Sequence, residues 1–202
     1  ATIEDWIRVF EDATGRDLAQ FSRWYSQAGT PRLTLEESFK DGTLTLDFTQ
    51  ETRPTPGQPE KKPQVIPIAV GLIGPNGDEV LETRVLEMNQ PRQSFEFSGL
   101  SAKPVASILR GFSAPVVLDR KLDNATRAFL LAHDTDPFNR WEAGRVLGKE
   151  VLTRMVTEGY PPSPDLLTGL PRLVSDDSLE PAYRALMLGL PSEDDLAQTL
   201  FD

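Results

Sequence analysis

Apolar and polar positions along this 202-residue chain follow two different periods, and the switches between them divide it into residues 1–30, 31–121 and 122–202. Over residues 1–30 the spacing is helical. Ile3, Trp6, Ile7 and Phe10 recur on one face, behind a capping-box start of Thr2 and Asp5, with Asp in place of the usual Glu. Gly15 marks a stop. Asp17 caps a second predicted helix carrying Leu18, Phe21, Trp24 and Tyr25. Gly29-Thr30-Pro31 ends it, because the residue before a proline is pushed out of the α region.

From Pro31 to Lys121 the period becomes two. Thr43 to Thr49 alternates polar and apolar, as a strand with one buried face does. Arg53 to Pro63 carries four prolines and reads as a loop. Val65 to Ile73 reads as a buried strand; Pro67 removes one ladder hydrogen bond and is therefore expected at an edge or a bulge. Gly74-Pro75-Asn76-Gly77 is a hairpin turn, and Glu79 to Leu86 returns from it. Ser94 to Phe97, Val105 to Leu109 and Val116 to Leu118 bring the count to about seven short strands. Short strands at near-regular spacing with turn residues between them predict an antiparallel β-sandwich.

Beyond Leu122 the helical period returns. Asn124 to His133 forms one helix, and Asp136-Pro137 caps a long one carrying Phe138, Trp141, Val146, Leu147, Val151, Leu152 and Met155. Pro161-Pro162-Ser163-Pro164 breaks it, and shorter helices follow over Asp165–Val174, Leu179–Leu188 and Glu193–Leu200. Helix pairs with proline-rich corners suggest a solenoid-like array, although no fixed repeat is visible. The last helix meets the end of the sequence without a cap, and the chain opens on Ala1 rather than Met, so a piece of a longer protein is expected. The fold class is therefore α+β, with two helices before the sandwich and a helical array after it.

Composition narrows the chemistry. The net charge of −10 argues against nucleic acid, since phosphate binding needs clustered Lys and Arg. Lys61-Lys62 and Arg120-Lys121 are the only adjacent basic pairs. No apolar run approaches a membrane span. Cysteine is absent, which excludes disulfides, thiolate metal sites and a Cys nucleophile and is compatible with a reducing cytosol. Histidine occurs once, at His133. A catalytic zinc site ordinarily takes two or three His ligands, and no G-x-S-x-G elbow is present to hold a nucleophilic serine. His133 is read as a helix-end residue that gains from the helix dipole and bonds the last carbonyls. The acidic pairs Glu36-Glu37, Asp176-Asp177 and Asp194-Asp195 are read as caps and solvated faces, because adjacent side chains point apart. Asn124-Ala125-Thr126 matches a glycosylation sequon but also a helix start, the preferred reading. Gly71, Gly74 and Gly77 have the wrong context for a phosphate loop, and Trp6, Trp24 and Trp141 are expected in core packing. No catalytic, cofactor-binding or metal-ligating residue is expected in this chain.

Two stretches are more specific. Residues 17–31, from Asp17-Leu18-Ala19-Gln20-Phe21-Ser22-Arg23-Trp24-Tyr25 to Pro31, resemble the segment that leaves the catalytic domain in bacterial-type aminopeptidase N, a zinc gluzincin family. His133-Asp134-Thr135-Asp136-Pro137-Phe138-Asn139-Arg140-Trp141-Glu142-Ala143 is similar to the start of that family's C-terminal helical domain. Gln64-Val65-Ile66-Pro67-Ile68 and Phe112-Ser113-Ala114-Pro115-Val116 fall between them in the family's order. The resemblance implies that residues 1–30 are the terminal helices of a catalytic domain, 31–121 an immunoglobulin-like sandwich and 122–202 the beginning of a helical domain. It also implies that the family's H-E-x-x-H motif, third zinc ligand, G-x-M-E-N motif and catalytic Tyr lie outside this sequence, so that zinc belongs to the parent enzyme alone.

The expected role is thus a non-catalytic structural piece of a cytoplasmic zinc aminopeptidase, linking the catalytic domain to a helical cap. Its partners are then the missing catalytic and C-terminal domains, with self-association through apolar surface left on residues 1–30 and on the final helices. The alternative is an independent sandwich module binding peptide or carbohydrate, which would carry exposed aromatics on a sheet face or loop.

Overall fold

The computed structural model describes residues 1–161 and 164–201. The first helix, α1 (Ile3–Thr14), starts in the expected capping box: the Asp5 amide donates to Thr2 Oγ1 at 3.2 Å and the Thr2 amide to Asp5 Oδ2 at 2.9 Å. Gly15 ends it in the left-handed region, at φ 69°. The second helix is much shorter than its pattern predicts; α2 spans only Arg23–Ser26. Asp17 caps nothing longer because its carboxylate is taken by the Ala19 amide in a local turn, at 2.8 Å, while Glu11 accepts from the Leu18 amide.

The strands are β1 (Arg32–Lys40), β2 (Thr43–Glu51), β3 (Ile66–Ile73), β4 (Glu79–Met88), β5 (Arg92–Phe97), β6 (Val105–Ile108) and β7 (Val117–Arg120). They form a four-stranded sheet in the order β5-β2-β1-β7 and a three-stranded sheet in the order β4-β3-β6. β1 and β2 pair antiparallel from Arg32↔Glu51 to Lys40↔Thr43, whereas β7 runs parallel to β1. Alternation sets the buried face of β2: Leu44, Leu46 and Phe48 are fully enclosed, each contributing about 1.5–3 kcal/mol by leaving water.

Pro67 is at an edge only locally, in a stretch of β3 that β6 does not reach. β3 is otherwise the middle strand of its sheet. The missing donor is tolerated because β6 pairs with β3 only from Val70 onward. Before that point the Ser113 hydroxyl stands beside β3, accepting from the Ala69 amide at 2.9 Å and donating to the Pro67 carbonyl at 3.0 Å.

The helices that follow are α3 (Asn124–His133), α4 (Pro137–Glu158), α5 (Pro164–Ser175), α6 (Pro181–Met187) and α7 (Glu193–Phe201). Asp123 caps α3 through the Thr126 amide, and Asp136 caps α4 with Pro137 at its first position. Gly159 closes α4 at φ 66°. Of the expected proline break, residues 162 and 163 lie outside the described residues.

By packing, the chain divides into two compact units. One comprises Ala1–Ala69, Arg84–Lys103 and Phe112–Lys121; the other comprises Val70–Thr83, Pro104–Gly111 and Leu122–Asp202. The second unit therefore contains strand segments as well as helices. Ile73 of β3, Leu130 of α3 and Ala143 of α4 form one buried cluster there, joined by Val105, Leu122 and Phe129. A second cluster sets Leu131 against Leu173 and Met187, and a third sets Leu147 and Val151 against Leu166.

Candidate functional site

The most concentrated polar chemistry in the second unit is built around one buried cation. After β6 the chain makes a 3-10 turn at Arg110–Phe112. Leu109, Gly111 and Phe112 all have positive φ, at 59°, 60° and 53°. Such geometry is costly for a bulky residue such as Leu or Phe. It presents the Arg110 side chain to the interior, where only 4% of it remains exposed.

The Arg110 guanidinium is ion-paired with Glu79 of β4 and donates to Thr83 Oγ1 at 3.0 Å and to Asp134 Oδ1 at 3.4 Å. It lies flat against Gly71 of β3, leaving no room for a Cβ there. Glu79 also accepts from the Thr135 hydroxyl at 2.8 Å. The hydrogen bond from Arg110 holds the Glu79 carboxyl below the usual glutamate range. Asp134 behaves oppositely. Its side chain is fully enclosed, and burial pushes its carboxyl up against the lesser lowering pulls of the Asp136 amide, the nearby Ser107 hydroxyl and Arg110.

The α3–α4 corner meets this turn through matched caps. Asp136 Oδ1 accepts from the Asn139 amide at 2.8 Å, and its Oδ2 accepts from the Gly111 amide at 2.9 Å. The Asp136 amide donates back to Asp134 Oδ1 at 2.9 Å. Asn139 Nδ2 reaches Ser107 Oγ and the Ile108 carbonyl, both at 2.8 Å. Chemically the arrangement is a brace: its hydrogen bonds fix β6, its turn and two helix ends to one another, with Asp134 Oδ2 and Arg110 Nε left unsatisfied inside it.

Residues singled out by the sequence are dispersed. His133 is the last residue of α3 as expected; its ring packs on Phe129, with centroids 4.8 Å apart, and against Gly77. The final carbonyls of that helix, Leu131 and Ala132, accept from the Arg140 guanidinium at 2.7 and 3.3 Å, a role assigned from sequence to His133. Glu37 pairs with Arg120, while Glu36 points to solvent. Asp176, held below the usual aspartate range chiefly by the Ser178 hydroxyl, faces Arg140. Asp177 pairs with Arg184 at 3.1 Å, and the Asp195 amide donates to the capping Ser192 Oγ at 3.2 Å while its carboxylate accepts from the Ser192 hydroxyl at 3.1 Å. Among the described residues no group of three or more His, Cys, Asp or Glu side chains is placed to hold a metal ion. No helix among them is long and apolar enough to cross a membrane.

The tryptophans divide. Trp24 is half-buried with Nε1 donating to the Val65 carbonyl at 2.7 Å, and Trp141 packs on the Leu131 cluster. Trp6 contradicts the core expectation: it is 62% exposed, and α1 buries no residue at all. Its apolar stripe instead opens on a groove of about 530 Å³ lined by Trp6, Phe10, Leu18, Phe21, Tyr25 and Val85. On the strands, by contrast, Phe48 and Phe97 are buried.

Two family models cover most of the chain. "Domain of unknown function (DUF3458) Ig-like fold" matches residues 29–121, and "Domain of unknown function (DUF3458_C) ARM repeats" matches residues 124–202. The chain is 45% identical to Aminopeptidase N of Caulobacter vibrioides over 97% of its own length, and 34% identical to Aminopeptidase N of Escherichia coli over its full length. The chain belongs to the aminopeptidase N family. It spans about a quarter of these relatives, 23% and 25% of their lengths. The crystal structure of Legionella pneumophila aminopeptidase A in complex with aspartic acid matches with a TM-score of 0.84 at 28% identity, over 98% of this chain and 23% of that one. The immunoglobulin-like and helical parts expected from sequence are thus both present, in the expected order.

Proposed function

We propose that this chain is the bracing segment of a zinc-dependent aminopeptidase: an immunoglobulin-like spacer, residues 31–121, that carries the first helices of a C-terminal cap, residues 122–202, behind the last helices of a catalytic domain, residues 1–30. The observation that carries the reading is the match over nearly the whole chain to relatives named Aminopeptidase N, of which the chain spans only about a quarter. The donor chemistry is in keeping with it. One imidazole, packed against Gly77 and Phe129, and no thiol do not fit a zinc centre. Metal-assisted removal of N-terminal residues would therefore depend on groups elsewhere in the longer protein, in the cytoplasm, while this segment fixes the geometry of the cap through the Arg110 brace.

The apolar face of α1 fits a surface that the rest of such a protein covers, and in isolation it would promote self-association. Exposed aromatics lie mainly on helices rather than on sheet faces, which favours the spacer over an independent binding module. The test is hydrolysis of aminoacyl anilides by the purified chain with added zinc. No turnover is expected. Turnover that copurifies with the chain through repeated chromatography overturns the reading.

A further inference from the structure

Arg110 is one buried cation facing an excess of carboxylates. Glu79 and Asp134 both contact it, and Asp136 lies two residues beyond Asp134 with its own oxygens committed to the Gly111 and Asn139 amides. The two direct partners are unequal. Glu79 is partly open to water, with 27% of its side chain exposed, and makes the close ion pair. Asp134 is completely enclosed, reaches Arg110 only at 3.4 Å, and leaves Oδ2 buried without a hydrogen bond. A buried carboxylate with an unsatisfied oxygen and a half-used counterion is a costly arrangement.

We propose that Asp134 is a proton-controlled strut: the neutral acid locks the α3–α4 corner onto the Arg110 turn, and ionisation loosens it. Glu79 remains the working counterion of Arg110 in both states, so proton uptake removes surplus negative charge without orphaning the arginine. The sign follows from burial. An acid whose folded pKa is displaced upward contributes stability that is fully present in acid and is lost as pH rises through the folded value. The other charged or titratable groups around the corner are His133 at the end of α3, Asp136 at the cap, Arg140 on α4 and Tyr183 on α6. Arg140 is committed to the Leu131 and Ala132 carbonyls and to Asp176, and Tyr183 donates to the Pro137 carbonyl at 2.6 Å. The Asp136 amide, bonded to Asp134 Oδ1, is a built-in reporter of the locked state.

The experiment is amide hydrogen exchange of the full chain, corrected for intrinsic rates and followed from the ordinary aspartate range to neutrality, alongside Asp134→Asn. In wild type, protection of the Asp136 and Gly111 amides should fall as pH rises, by up to about tenfold per unit of upward pKa displacement. Asp134→Asn, which keeps the carbonyl acceptor and removes the charge, should hold high protection across the range. A carbon-13 titration of the wild-type carboxyl supplies an independent readout should the variant fold poorly. A midpoint above 3.8 is expected. A midpoint at or below it, a flat wild-type exchange profile, or the same profile in both proteins overturns the proposal.

Discussion

Replacing Gly71 by Ala tests the brace most directly, because local propensity and tertiary packing predict opposite signs. Within a strand, Ala is ordinarily favoured over Gly by about 0.5–1 kcal/mol. At this position an added Cβ falls 2.5 Å from Arg110 Nε and closer still to Cζ and Nη1. For a free surface arginine the clash would be relieved cheaply by swinging the side chain away. Here the guanidinium is pinned by Glu79, by Thr83 at 3.0 Å and by Asp134 at 3.4 Å. Displacing it breaks the ion pair with Glu79 and strands the enclosed Asp134 side chain, a loss of about 3–5 kcal/mol. With a urea slope of about 1–3 kcal/mol per molar, the unfolding midpoint should drop by about 2 M. Circular dichroism at the helical minimum is the appropriate probe, since α3 to α7 all lie in the unit that contains Gly71. The partner experiment places Gly71→Ala in an Arg110→Met background, where the methyl no longer meets a guanidinium and its cost should largely vanish. A midpoint unchanged by Gly71→Ala alone, or an equal drop in both backgrounds, refutes the reasoning.

Three further outcomes are expected. Asp136→Ala removes the cap of α4 and the acceptor of the Gly111 amide together, costing about 2 kcal/mol; calorimetry should show a melting temperature lower by about 4–8 °C. Glu79→Gln should destabilise the chain most at neutral pH and least in acid. The lowered pKa of Glu79 gives a contribution complete above 4.5 and lost as pH falls through the folded value, so the wild-type-minus-variant difference in urea midpoint must shrink on acidification. Trp6→Gln, at a 62% exposed site, should change stability by less than about 0.5 kcal/mol. The same variant should weaken any self-association seen by analytical ultracentrifugation.

Legibility in the sequence followed the range of the forces involved. Caps are local, so Thr2, Asp136-Pro137 and the Gly15 stop were readable, and α3 was found to the residue. Alternation marked β2 because that strand buries one face only. β1 escaped individual assignment although Asp41-Gly42, both with positive φ, forms the tight turn that joins it to β2 and is a strong hairpin signal. The shortness of α2 was hidden because Asp17 serves a turn as readily as a helix cap. Trp6 misled for another reason: an amphipathic stripe reports that a face wants cover, and does not say whether this chain supplies it. The brace was the least visible part. Arg110 is a lone cation at the end of an apolar strand, and its partners are 24 to 31 residues away. Asp134, Asp136, Asn139 and Arg140 lie within the family-like motif of residues 133–143, where spacing alone does not reveal the work of each side chain.

The parallel ladder between β1 and β7 has a mechanical consequence. Arg32, Leu33, Thr34 and Leu35 lie opposite Val117, Leu118, Asp119 and Arg120, with Arg32–Asp119 and Glu37–Arg120 ion pairs beside the same seam. Tension applied at the start of β1 and the end of β7 slides the two strands past each other, so their cross-links are loaded together rather than peeled one at a time. A pull along the polypeptide thus meets a shear clamp.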